Sequence, residues 1–191
     1  MNAGTRVIRN SLANILGNIF IKVLTLTFWA FVARRLSVED FGIFAFAFAT
    51  IGIIASLSDF GISYLVMREV SRETARAREY FANSVLLKLL FALVAFGVLA
   101  VTLILLGSLG IKARLLMILG LTLPITAVNM AIFSIFNAFE KMHLSALLES
   151  LSTFIYLVFG SALLLNGGGL LQLGWAYVTS SMTALAVSLW L

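Results

Sequence analysis

Six runs of mostly apolar residues, each long enough to cross a bilayer as a helix, dominate the 191-residue chain and leave little room for another fold. A crossing takes about 20 such residues, because in lipid every backbone N–H and C=O must find its partner inside the segment. The runs cover approximately 11–33, 41–66, 82–107, 115–137, 145–166 and 169–190. Polar or glycine-rich stretches separate them: RRLSVED, REVSRETARARE, GSLGIKAR, EKMH and NGGG. All of these connections are short, so neighbouring helices run antiparallel in one bundle. The expected fold is an all-α integral membrane protein, a single lobe of six transmembrane helices over 1–191. Charged residues make up 11% of the chain, against about 25% in soluble domains. The first run follows two arginines, as a secretory signal would, but it continues to Ala33 without a small-residue cleavage site and reads as the first span.

Composition also removes several functions. The chain has no cysteine and one histidine, His143, so neither a disulfide framework nor a metal cluster can be assembled, and no metal or cofactor is expected. No paired acid and base or activated nucleophile stands out, which argues for a transporter over an enzyme. The net charge of +5 lies mostly between the apolar runs, where it sets membrane orientation and does not imply nucleic acid as a partner. With a cytoplasmic N-terminus, that side carries Arg6, Arg9, Arg68, Arg72, Arg76, Arg78 and Lys141, seven cations. The other side carries Arg34, Arg35, Lys112 and Arg114, four. This imbalance predicts an N-inside orientation. The stretch REVSRETARAREYF alternates charge at helical spacing and predicts a short cytoplasmic surface helix with a solvated face.

Polar residues inside the runs carry the functional signal. Ser11, Asn14, Asn18, Lys22, Thr25 and Trp29 recur at spacings of 3, 4, 4, 3 and 4, which places them on one helix face. Lys22 would lie about 16 Å from either end of its helix, too deep for its stem to reach the interface. A charge at that depth marks a cavity by default, the alternative being a structural lysine satisfied by Asp59 or by carbonyls. The fourth run offers Thr122, Thr126, Asn129 and Asn137, with Pro124 as an expected kink. The fifth offers Ser145, Glu149, Ser152, Tyr156 and Gly160, for which helix packing is an equal explanation. Ser84 and Lys88 open the third run, and Lys88 is close enough to its cytoplasmic end to snorkel.

The tetrapeptide DFGI occurs at 40–43 and again at 59–62, with no charge between the two aspartates. Nineteen residues of helix span about 28 Å, nearly the thickness of the hydrocarbon core, so the aspartates bracket the membrane. Asp40 is expected at the start of the second helix. Asp59 either ends a straight span before an interfacial segment or, where Gly61 permits a break, turns into the bundle. Lys22 and Arg68 are its expected partners.

These motifs and their order resemble the polysaccharide-biosynthesis or oligosaccharide flippase family, within the multidrug, oligosaccharidyl-lipid and polysaccharide exporter superfamily. The alanine-arginine closure of helix one falls at Ala33 to Arg35, the D-F-G-I start of helix two at Asp40 to Ile43, the second D-F-G at Asp59 to Gly61, and R-E-x-S-R at Arg68 to Arg72. REYFANSVLLKLL, FNAFEKMHLSALLES and NGGGLLQLGWAYVTSS are similar to the later loops, so the likeness covers essentially the whole chain. Family members are about twice as long, and the chain is expected to be an N-terminal lobe, or a half-transporter that needs a second lobe or a homodimer to close its cavity.

The resemblance implies a flippase that moves a polyprenyl-phosphate- or diphosphate-linked oligosaccharide across the cytoplasmic membrane of a prokaryote by alternating access. Glycosyltransferases or polymerases are implied as neighbours. The candidate cavity residues are Asn14, Asn18, Lys22, Thr25, Arg34, Arg35, Asp59, Lys88 and Asn129, with Lys22 and Arg34 or Arg35 facing the anionic lipid phosphate. Two other functions stay open. One is a multidrug or cation antiporter, which needs intramembrane carboxylates such as Asp59 and Glu149. The other is a non-transporting scaffold for glycan-assembly enzymes.

Overall fold

The computed structural model describes residues 19, 21–107 and 110–190, and every regular element among them is helical. Helix α1 covers 21–35. It is followed by α2 (Val38–Asp59), α3 (Ile62–Arg72), α4 (Ala77–Leu105), α5 (Ile111–Gly120), α6 (Thr122–Ala138), α7 (Met142–Leu165) and α8 (Leu170–Trp190), with one 3₁₀ turn at Thr74–Arg76. Pairs α2–α3 and α5–α6 each form one interrupted rod. With α4, α7 and α8 they give five rods long and apolar enough to cross a membrane, beside α1. The chain is thus an all-α membrane bundle, as the apolar runs require.

Each break has a local cause. Ser37 caps α2: its side chain accepts from the Asp40 N–H at 3.1 Å and donates to Asp40 Oδ2 at 2.9 Å. Asp40 therefore stands in the first turn, where its charge favours the positive end of the helix. Between α2 and α3, Phe60 and Gly61 are both left-handed, with φ of 43° and 75°, and the rod turns there. Between α5 and α6 the break falls at Leu121, three residues before Pro124. Proline has no N–H to give the Gly120 carbonyl, and its ring crowds that carbonyl, so the helix is interrupted one turn upstream, although Leu121 itself stays right-handed.

Helices α6 and α7 both end in the same motif. Gly168 N–H donates to Leu163 C=O at 2.7 Å and Gly167 to Leu164 at 3.3 Å, with Gly167 left-handed. After α6, Lys141 donates to Phe136 at 2.8 Å and Glu140 to Asn137 at 3.1 Å, with Glu140 left-handed at φ 60°. These bonds satisfy carbonyls that a helix end would otherwise leave bare.

The α5–α6 rod lies centrally: α6 packs on α2, α3, α4, α7 and α8, and α5 on α2, α4 and α8. Close approach is won by small residues. A Cβ on Gly174 would meet Leu115 at 2.9 Å, and one on Gly160 would meet the Phe28 ring at 2.8 Å, so α1 lies tightly on α7. Outward, α4 shows Leu86, Leu90, Val94, Val98 and Val101, all exposed and four or three residues apart. An apolar face of this kind suits acyl chains. The α3 segment behaves differently: Val66 and Val70 are buried against Ala138, Ile135 and Tyr80, and its other side carries arginines.

Candidate functional site

A cavity of about 440 Å³ opens among α1, α2, α6, α7 and α8. One wall is aromatic. Ring centroids of Trp29 and Phe48 lie 5.8 Å apart, those of Phe48 and Tyr177 4.9 Å, and those of Tyr156 and Tyr177 5.1 Å. Separations of 4.5–7 Å are where aromatic pairs attract, so the wall is self-supporting. A second wall comes from one face of α7, where Glu149, Ser152, Thr153 and Tyr156 follow at helical spacing. Thr126 and Asn129 of α6 and Ser181 of α8 add further polar groups. Several are anchored: Ser188 Oγ donates to Asn129 Oδ1 at 3.0 Å, and Ser152 Oγ to the Ser180 carbonyl at 3.3 Å. Tyr156 is only 7% exposed, yet its hydroxyl has no hydrogen-bond partner among the described residues. No lysine or arginine is among the described residues that line the cavity, and Glu149 is the one charged group there.

Beside this space lies a buried ion pair. Lys88 Nζ stands 2.7 Å from Asp59 Oδ1, with the lysine side chain 2% exposed and the aspartate 20%. Lys88 also donates to Ser63 Oγ, and Ser63 donates to Asp59 Oδ1 at 2.7 Å. Asp59 ends α2 and Ser63 begins α3, so one lysine of α4 ties together the two sides of the Phe60–Gly61 break. Burying both charges costs several kcal/mol each before their attraction, which such close contacts and the added hydroxyl offset. A void of about 20 Å³, room for about one water, touches the pair and shares Thr126 and Met130 with the large cavity.

The pairing corrects an expectation. Neither Lys22 nor Arg68 is the partner of Asp59; Arg68 instead contacts Glu69 at 2.7 Å. Nor does Lys88 snorkel, since it lies about three turns inside α4 and folds onto α2 and α3. Of the other candidates, Thr25 and Asn129 line the large cavity. Lys22, Arg34 and Arg35 are exposed and absent from its lining. Asn14 and Asn18 lie outside the described residues. Trp29, Glu149, Ser152 and Tyr156, which lie on the polar stripes, meet here. Phe48, Tyr177 and Ser181 carried no signal, because an aromatic or a serine within an apolar run reads equally well as lipid-facing or packing.

An all-α bundle that turns apolar side chains outward and leaves an aromatic-walled cavity with a few polar groups among its helices is, by class, a multi-pass membrane protein. The model of the family described as polysaccharide biosynthesis protein matches residues 7–191, and the chain belongs to that family. No curated protein and no solved structure matches it.

Proposed function

We propose that the protein is a flippase that moves a lipid-linked oligosaccharide or polysaccharide precursor across the cytoplasmic membrane of a prokaryote by alternating access. The observation that carries this reading is the cavity among the membrane helices, mostly apolar but set with hydroxyl, amide and carboxylate groups, and lined by side chains from five helices. Membership of a polysaccharide biosynthesis family supports a glycan precursor as the substrate. A second lobe or a second copy of the chain would complete the translocation path, and glycosyltransferases or polymerases would deliver and collect the glycan. The carboxylate of Glu149 within the cavity favours, as a second reading, a cation antiporter.

The test is translocation of a fluorescent polyprenyl-diphosphate-linked oligosaccharide in proteoliposomes, with wild type beside Ser152→Trp, which plugs the cavity. Wild type is expected to flip the lipid and the plugged variant to lose at least about tenfold in rate. Cation-driven efflux of a dye without lipid translocation would replace this reading with the antiporter.

A further inference from the structure

Two apolar grooves open outward beside α4, and they differ in one respect. The first, about 460 Å³, lies between α2 and α4, and no charged residue lines it. The second, about 610 Å³, lies where α4 finishes and α5 and α8 begin. Ala100, Ile104, Ala113, Met117 and Leu171 are among its lining residues, and every lining group except Arg114 is apolar. Arg114 is exposed in the first turn of α5 and forms no ion pair among the described residues. These helices offer it no acid: α5 and α8 contain none, and the one acid of α4, Glu79, lies at its far end. The neighbouring cation, Lys112, is engaged elsewhere, over the Phe46 ring of α2 at 3.9 Å.

We infer that the second groove is a binding site for an anionic phospholipid, with an acyl chain along the groove and the headgroup phosphate on Arg114. A guanidinium fits a phosphate with two parallel hydrogen bonds, and a long cationic side chain at the end of a membrane helix reaches headgroup depth. The surroundings select net negative charge. A choline headgroup brings its own cation, which finds no carboxylate here and offsets the attraction of its phosphate to the arginine. A diphosphate-linked carrier holds more charge than the one arginine of the groove balances. None of the groove's residues lines the large cavity, so the lipid site is independent of what the lobe transports.

Trp175 supplies the reporter: it follows Leu171 by one turn on the same face of α8 and is 50% exposed. In phosphatidylcholine bilayers its emission, taken as the difference between wild type and Trp175→Phe, would be quenched with brominated-chain phosphatidylglycerol or brominated-chain phosphatidylcholine. Phosphatidylglycerol is expected to occupy the site about fivefold more strongly than phosphatidylcholine. Arg114→Gln should abolish that preference, and Arg114→Lys should retain most of it. Phe91→Trp, added to Trp175→Phe, reports the groove without a cation and should show no preference. Equal quenching by the two lipids at Trp175, or a preference that survives Arg114→Gln, overturns the inference. The same preference at position 91 also overturns it, since the overall charge of the protein would then be the cause. Absence of quenching by either lipid would mean that a protein surface, such as a second copy of the chain, covers the face. Displacement of bound phosphatidylglycerol by a much smaller amount of undecaprenyl phosphate would assign the groove to the carrier lipid instead.

Discussion

At the scale of single residues, the Asp59–Lys88 pair is the most demanding feature of the protein. Its two partners are unequal: Lys88 is almost fully enclosed, whereas the Asp59 side chain keeps 20% of its surface exposed. Removing the aspartate strands a charge in a closed site, and removing the lysine strands one that retains some outside contact. Asp59→Asn should therefore cost about 3–5 kcal/mol, and Lys88→Met less. The double variant should recover most of the loss, since the charge and its desolvation leave together. Unfolding of the three variants in mixed micelles decides it, and equal, additive losses would show that the pair does not act as a unit. The sequence pointed to a cation beside Asp59 but not to Lys88. Sequence spacing reports which residues share a helix face, and so it found Thr25, Glu149 and Tyr156. It cannot report which residue of α4 faces which residue of α2.

At the scale of elements, the two Schellman ends offer a controlled comparison. Gly167 and Glu140 occupy the same left-handed position, and both helices close with the same pair of backbone hydrogen bonds. Glycine adopts that conformation freely, whereas a residue with a Cβ pays about 1–2 kcal/mol for it. Glu140→Gly should then stabilise the protein by roughly 0.5–1 kcal/mol, and Gly167→Ala should destabilise it by about as much. Thermal unfolding in detergent measures both; a neutral or harmful Glu140→Gly would mean that the glutamate contributes more than its backbone strain removes. The contrast explains which breaks were readable. NGGG announces a left-handed turn through its glycines, and EKMH announces only polarity. Likewise Pro124 marks a break in the helix, but the missing hydrogen bond acts four residues back, so the interruption falls at Leu121.

At the scale of the whole molecule, orientation turns on how charges are counted. Around the α3–α4 junction Arg68, Arg72, Arg76 and Arg78 are exposed, but Glu69, Glu73 and Glu79 stand among them. Arg68 meets Glu69 at 2.7 Å, and Arg76 meets Glu79 at 3.0 Å. If net charge governed topology, these pairs would erase most of the bias at this junction. The established bias counts lysines and arginines and gives acids little weight, so the junction should still face the cytoplasm. The chain contains no cysteine, which makes single-cysteine labelling clean. Thr74→Cys, in the exposed turn before α4, and Asn166→Cys, in the exposed turn before α8, report opposite sides of the bundle. In intact cells an impermeant maleimide should label position 166 and spare position 74 until the membrane is opened. The opposite pattern would mean that the acidic partners do neutralise the junction during insertion, and the first helix would then enter with its N-terminus outside.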